Sequence, residues 1–109
     1  MTRTRIAAIW KSPEEYTGAP VTVCGWVRTV RDQKNFGFIE LNDGSSFKGV
    51  QVVIERANLE NYDDIAKQNV GAALIVIGDL VLTPEARQPF EIKAKSVEVE
   101  GASASDYPL

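Results

Sequence analysis

Residues 25–32 read GWVRTVRD and residues 36–45 read FGFIELNDGS, and these two segments decide the fold. Apolar and polar side chains alternate along both segments, which is typical of β-strands with one face on a core. The end of the second segment, NDGS, is rich in turn-forming residues and predicts a return into a third strand. We expect two arginines and a phenylalanine of these strands on the face that points away from the core. A small β domain with such a face is a candidate for stacking on an unpaired base.

The rest of the chain is predicted to form three more short strands and two helices. Residues 4–16 begin with apolar residues at helical spacing, and Ser12-Pro13 either ends this first helix or caps a second turn. Further strands are expected at residues 50–54, 72–82 and 90–94, with a helix at residues 59–69. The apolar positions change parity after Ala94, which indicates a β-bulge near Lys95 and Ser96.

This order of elements predicts the fold class. Five strands with a helix between the third and the fourth are typical of the OB-fold, a small barrel whose second and third strands present a ligand face. We therefore expect an all-β protein, a five-stranded OB-fold barrel with a short N-terminal helix. The alternative is an SH3-like barrel, which lacks a helix at that place. The barrel domain is expected to span residues 1–101, and residues 102–109 are expected to begin a linker.

The composition narrows the possible chemistry. The 109 residues include one cysteine, Cys24, and no histidine, which excludes Cys/His zinc sites, an internal disulfide and histidine-based acid–base catalysis. No segment reaches the roughly 20 apolar residues of a membrane helix, and we expect a soluble, cytoplasmic protein with no membrane partner. The net charge of −3 argues against broad binding of nucleic acid through phosphate contacts alone. We find no catalytic site.

The second and third strands supply the centre of the candidate site. If the turn between them is centred near Gly44-Ser45, Phe38 and Gln51 become cross-strand neighbours on the outer face. The ring offers a stacking surface, and the amide can donate to and accept from a base edge. The alternative is that Phe38 packs beneath a loop or the N-terminal helix. Trp10 and Trp26 are expected to pack under that helix rather than to bind a ligand.

Three charged residues complete the candidate set. Arg28 and Arg31 lie on the adjoining first strand, where an arginine can bind a phosphate or a base edge. Glu91 on the fifth strand can accept hydrogen bonds from base amino or imino groups. Each of the three also fits an ordinary surface position, so the prediction depends on the whole set.

Four segments, at residues 21–28, 31–32, 38–45 and 50–53, together resemble the N-terminal anticodon-binding domain of class IIb aminoacyl-tRNA synthetases. This group comprises the aspartyl, asparaginyl and lysyl enzymes. The later segments QPFEIKA (residues 88–94) and DYPL (residues 106–109) are most similar to the asparaginyl member. Aspartyl enzymes share the first half of the pattern, so an aspartyl domain is the alternative within the group.

The resemblance implies a role for each candidate residue. The partner would be the anticodon loop of tRNA(Asn), whose anticodon reads GUU or its queuosine form. Phe38 would stack on the central uridine, and Gln51 and Arg31 would contact anticodon bases. Glu91 would lie at the first or third base, and Arg28 would hold a phosphate.

The resemblance also implies what the chain lacks. A class II catalytic domain that binds ATP, Mg²⁺ and the amino acid would follow in the full-length enzyme, and its motifs are not in this sequence. We therefore expect no cofactor in this segment and no formation of an aminoacyl adenylate by it. We expect the segment to be a monomer and the full-length enzyme to be a homodimer.

Two other classes of function remain open from the sequence. A general single-strand-binding OB domain would bind unrelated oligonucleotides equally well. A protein-interaction OB domain, which the negative net charge favours, would bind no RNA even at low salt.

Overall fold

The computed structural model describes residues 4–46, 48–68, 71–83 and 88–101. The strands are β1 (Pro20–Asp32), β2 (Phe36–Asn42), β3 (Val50–Glu55), β4 (Ala73–Leu82) and β5 (Phe90–Gly101). Helix α1 spans Ile6–Lys11, a 3₁₀ turn follows at Pro13–Tyr16, and helix α2 spans Tyr62–Ala66 between β3 and β4. The strands close into a barrel in the order β1-β2-β3-β5-β4. This arrangement confirms the predicted OB-fold barrel, including the place of both helices.

The core fills the barrel interior with alternate residues of every strand. Fully buried examples are Val23, Ile39, Val52, Val76 and Ile92. Burial of each such side chain stabilises the fold by about 1.5–3 kcal/mol. Their sequence neighbours therefore point to the outer face of the barrel.

Helix α1 covers the barrel at the end where β2 turns into β3. The first N–H groups of the helix, those of Ile6 and Ala7, donate to Oδ2 of Asp43 and Oγ of Ser45, both at 3.0 Å. The indole of Trp10 packs edge-on against Phe90 at 4.7 Å between ring centroids. Helix α1 is thus fastened to the loop after β2 by its first turn and to the core by its last. None of the helices in the described ranges is long and apolar enough to span a membrane.

Helix α2 is shorter than the predicted helix at residues 59–69. The N–H groups of Asn58 and Leu59 bond to the carbonyl of Glu55 in a turn that does not continue. Leu59 is buried, and the helix begins only at Tyr62. Leu59, the first residue of the predicted helix, therefore lies in a turn, and Asn69, the last, lies outside the described residues.

The register of the barrel shifts at three places. At the end of the β4–β5 pairing, Ala73 pairs with Gly101 and Leu74 with Val99, which leaves Glu100 unpaired in the register. In β5, Ser96 pairs with Ile77 and Ala94 with Gly78, which leaves Lys95 as the extra residue and confirms the predicted bulge. In β1, Val27 pairs with Leu41 and Thr29 with Glu40, so Arg28 is the extra residue of a bulge that we did not predict. The linker predicted at residues 102–109 lies outside the described residues.

Candidate nucleic-acid interface

A row of four outward-facing residues crosses the barrel from β1 to β5. Arg31 pairs with Phe38, Phe38 with Val53, and Val53 with Lys93. Val53 is only 8% exposed although it lies on the outer face, because the larger side chains of the row flank it. The row therefore places an aromatic ring between two cations.

A second row lies beside the first and corrects one prediction. Thr29 pairs with Glu40, and Glu40 pairs with Gln51. Phe38 and Gln51 are therefore diagonal neighbours and not direct cross-strand partners. The cause is the turn, which is centred between Ser45 and Ser46, one residue later than the expected centre between Gly44 and Ser45.

The ring of Phe38 is fixed by contacts on two sides. The Cζ atom of Arg31 lies 5.4 Å from the ring centroid, within the range of cation–π attraction. Phe36 meets the same ring edge-on, with the two centroids 5.5 Å apart. Phe38 is half-buried. The alternative was that it packs beneath a loop or the N-terminal helix, but these two contacts come from β1 and β2. A ring held in this way loses little conformational freedom when a base stacks on it.

The two rows enclose a cleft of about 380 Å³, which we call the β2–β3 cleft. Its lining residues are Thr29, Arg31, Phe38, Ile39, Glu40, Gln51 and Gln88. The volume lies in the range of small-ligand sites. The cleft combines an aromatic face, a guanidinium, a carboxylate and two carboxamides, which are the groups that stack on and hydrogen-bond to bases.

Four of the five predicted site residues come together here. Arg31, Phe38 and Gln51 line the cleft, and Nε2 of Gln51 lies 3.4 Å from Oε1 of Glu91. Arg28 is exposed at the β1 bulge, outside the lining of the cleft. A bulge turns a side chain away from the regular alternation, and the structure does not bring Arg28 together with the other four predicted residues.

Sequence reasoning missed four residues of this surface. Glu40 and Lys93 could have been predicted from strand alternation, because Glu40 lies two residues after Phe38 and Lys93 lies two residues after Glu91. Thr29 was displaced to the outer face by the bulge. Gln88 precedes β5 and had no periodic signal at all.

The connection between β1 and β2 is held beside the cleft by a polar network. The hydroxyl of Tyr62 donates to Oδ1 of Asp32, and this hydrogen bond lowers the pKa of the carboxyl, as does the N–H of Lys34. The pKa of Tyr62 is raised to about 12, with burial as the largest cause and the hydrogen bond to Asp32 as the next. The guanidinium of Arg56 lies 4.5 Å over the Tyr62 ring, and its Nε donates to the carbonyl of Lys34 at 2.9 Å.

A second cleft of about 370 Å³ lies on the outer face of β1 and β4. Trp26 lines it and is 43% exposed, so the prediction that this ring packs under helix α1 is wrong. The ring lies beside Gly44, in the loop after β2. Asp43 and Glu100 also line this cleft. Two carboxylates beside the ring oppose an approaching phosphate, whereas the β2–β3 cleft has the guanidinium of Arg31 as well as the carboxylate of Glu40.

The described residues hold no group of three Cys, Asp or Glu side chains that could bind a metal ion. The side chains that line the β2–β3 cleft can stack, pair charges and form hydrogen bonds.

Several known proteins resemble this chain in sequence. Residues 21–100 match the family model of tRNA anticodon type described as an OB-fold nucleic acid binding domain. The chain is 55% identical over all of its 109 residues to the asparagine–tRNA ligase of Acetivibrio thermocellus, and 54% identical over 101 residues to that of Alkaliphilus oremlandii. These matches cover 24% and 22% of the two ligases, so the chain spans about a quarter of the length of such relatives.

Solved structures show the same fold. The asparaginyl-tRNA synthetase of Pyrococcus horikoshii in complex with asparaginyl-adenylate superposes with a TM-score of 0.82 at 23% identity, over 99% of this chain and 24% of that one. The asparaginyl-tRNA synthetase of Entamoeba histolytica gives a TM-score of 0.67 at 26% identity, over 82% of this chain and 22% of that one. An OBody bound to hen egg-white lysozyme gives a TM-score of 0.77 at 18% identity, over 94% of this chain and 98% of that one.

Proposed function

The chain belongs to the tRNA anticodon family of OB-fold nucleic-acid-binding domains, and from that membership we propose that it reads the anticodon of tRNA(Asn) for an asparagine–tRNA ligase. The observation that carries the proposal is the convergence of Arg31, Phe38 and Gln51 on the β2–β3 cleft. The names of relatives at 55% and 54% identity support the choice of amino acid.

The proposed mechanism assigns one physical task to each group. The ring of Phe38 stacks on the central uridine, which is worth ~1–3 kcal/mol per base. Gln51 hydrogen-bonds to the exposed edge of that base, and Arg31 binds the base edge or the adjoining phosphate. Glu91, beside Gln51, accepts hydrogen bonds from a neighbouring anticodon base. Arg28 binds a phosphate from the bulge.

The remaining steps belong to the larger protein of which we propose this domain to be a part. That protein would attach asparagine to tRNA(Asn) with ATP and Mg²⁺ in a class II catalytic domain, as a cytoplasmic homodimer. ATP and Mg²⁺ are assigned to that catalytic domain. The 109-residue domain itself is proposed to be a monomer.

The test is binding of the domain to anticodon stem-loops at low salt, measured by fluorescence anisotropy. We expect the GUU loop to bind more tightly than a loop with GCU, in which only the central base differs. A loop with GUC, the aspartate anticodon, separates the asparaginyl from the aspartyl assignment through the third base.

Two outcomes would replace the proposal. Equal binding of unrelated single strands would identify a general single-strand-binding module. Failure to bind any RNA at low salt, where phosphate contacts are strongest, would identify a protein-interaction domain.

A further inference from the structure

Gln88 completes the β3–β5 seam of the barrel with its side chain. The parallel pairing of these strands covers only Val52–Ile92 and Val53–Lys93. The next N–H group along β3, that of Gln51, donates instead to Oε1 of Gln88 at 3.1 Å. The side chain of Gln88 therefore takes the place of a strand carbonyl at the edge of the β2–β3 cleft.

This hydrogen bond fixes which way the carboxamide of Gln88 points. A backbone N–H can be satisfied only by the oxygen of a carboxamide, so the NH₂ group lies on the other side. The backbone of the residue is held as well, since Oγ1 of Thr83 donates to the Gln88 carbonyl at 2.8 Å. Gln88 also lines the cleft, which makes its Nε2 a pre-oriented donor.

The carboxamide of Gln51 is oriented in the opposite sense. Its Nε2 faces a carboxylate oxygen of Glu91 at 3.4 Å, and a carboxylate accepts hydrogen bonds from the NH₂ side. The Oε1 atom of Gln51 is then the group left to face the cleft. The cleft thus presents one fixed donor and one fixed acceptor beside the ring of Phe38.

We propose that Gln88 is a specificity-determining residue of this interface, whose Nε2 donates to O4 of the pyrimidine stacked on Phe38. In the same pose Oε1 of Gln51 accepts from N3–H of that base. Uracil offers this pattern. Cytosine has an amino group at position 4 and a lone pair at N3, so Nε2 of Gln88 would face a donor and Oε1 of Gln51 would face an acceptor. This inference rests on the proposed function and adds a residue that discriminates uracil from cytosine.

The variant Gln88→Glu removes the proposed hydrogen bond to the base and keeps the acceptor for the N–H of Gln51. A carboxylate still accepts the N–H of Gln51 but presents a second acceptor to O4. We expect an unchanged thermal midpoint and GUU binding weakened about 3- to 10-fold, the value of one hydrogen bond. The matched control is Gln68→Glu, which adds the same charge on the turn after helix α2. Equal losses in both variants would overturn the proposal.

An atomic substitution in the RNA tests the contact directly. Replacing the central uridine by 4-thiouridine weakens the acceptor at position 4 and should cost the wild type about 3- to 10-fold in affinity. Gln88→Ala should cost a similar factor and should abolish the effect of the sulfur, because the contact is then already lost. If Gln88→Ala and 4-thiouridine together reduce the affinity by the product of their separate factors, the assignment of the contact to O4 is overturned.

These results also distinguish the two proposals. Tighter binding of GUU than GCU by the wild type, with no effect of Gln88→Glu or Gln88→Ala, removes the role of Gln88 and leaves anticodon recognition intact. Absence of stem-loop binding by the wild type removes both.

Discussion

The hydroxyl of Tyr62 donates a 2.8 Å hydrogen bond to Oδ1 of Asp32, which joins helix α2 to the last residue of β1. The same oxygen accepts the backbone N–H of Lys34 at 2.8 Å, so one carboxylate also closes the connection to β2. Arg31 immediately precedes Asp32 in β1. Through this contact the helix helps to hold the guanidinium that lies against Phe38.

We predict that Tyr62→Phe destabilises the protein in a pH-dependent manner. The pKa of Asp32 is lowered from 3.8, so its contribution is present above that pH and is lost as the pH falls below it. The pKa of Tyr62 is raised from 10.0 to about 12, so its contribution is present below pH 10 and is lost as the pH rises toward 12. The difference in unfolding free energy between wild type and variant is measured by urea titration. It should be largest between pH 3.8 and pH 10.0, where both contributions are present.

The control for this prediction is the same comparison in an Asp32→Asn background. An asparagine does not titrate, so the loss on the acid side should disappear. The alkaline loss should largely remain, because burial is the first cause of the raised pKa of Tyr62. A difference that is constant across the whole pH range would show that the hydrogen bond does not couple to the protonation of either group.

Phe38→Ala is predicted to weaken binding of the GUU stem-loop by ~1–3 kcal/mol, because the stacking surface is removed. Trp26→Ala is the matched control, since Trp26 is an exposed aromatic residue that lines the other cleft. We expect this control to bind as the wild type does, as judged by fluorescence anisotropy. A loss in Trp26→Ala that equals the loss in Phe38→Ala would move the RNA site to the β1–β4 face.

Arg28→Gln is predicted to change the salt dependence of binding more than its sequence preference. Each phosphate contact to a single strand contributes about −0.7 to the slope of log K against log salt concentration. Loss of the Arg28 contact should make the slope shallower by about that amount, with equal weakening of the GUU and GCU loops. Lys67→Gln removes a charge that pairs with Asp64 on helix α2 and should leave the slope unchanged. A change in base preference in Arg28→Gln would indicate a base contact.

Alternation was sufficient to place Phe38 and Gln51 on the outer face, because their neighbours Ile39 and Val52 are fully buried in short, regular strands. Their register could not be predicted in the same way. It depends on the length of the β2–β3 loop, and a small shift of the turn centre moved Phe38 from Gln51 to Val53.

The remaining residues of the interface depend on contacts between distant parts of the chain. The position of Gln88 follows from the parallel seam of β3 and β5, and 37 residues separate it from Gln51. No local pattern encodes such a pairing. The bulge at Arg28, in contrast, left a trace in the sequence, since Val27 and Val30 both face inward but are three residues apart.

The attachment of helix α1 to the barrel gives a last prediction. Burial raises the pKa of Asp43, but hydrogen bonds from Ser45 and from the N–H of Ile6 outweigh it, and the net shift is downward. The ionised carboxylate thus serves as an N-terminal cap supplied by a neighbouring loop, and removal of a cap costs about 0.5–2 kcal/mol.

Asp43→Ala should therefore lower the unfolding free energy by about 1 kcal/mol and expose the start of helix α1 to exchange. Amide hydrogen exchange is the sharper measurement, because it resolves the helix from the barrel. The amide of Ile6 should lose protection, while that of Val76 in β4 should change only through the overall loss of stability. Asp64→Ala is the control, since its carboxylate is exposed and pairs with Lys67 within helix α2 and its C-cap. Retained protection at Ile6 in Asp43→Ala would mean that packing of the helix on the core, and not the cap, holds it in place.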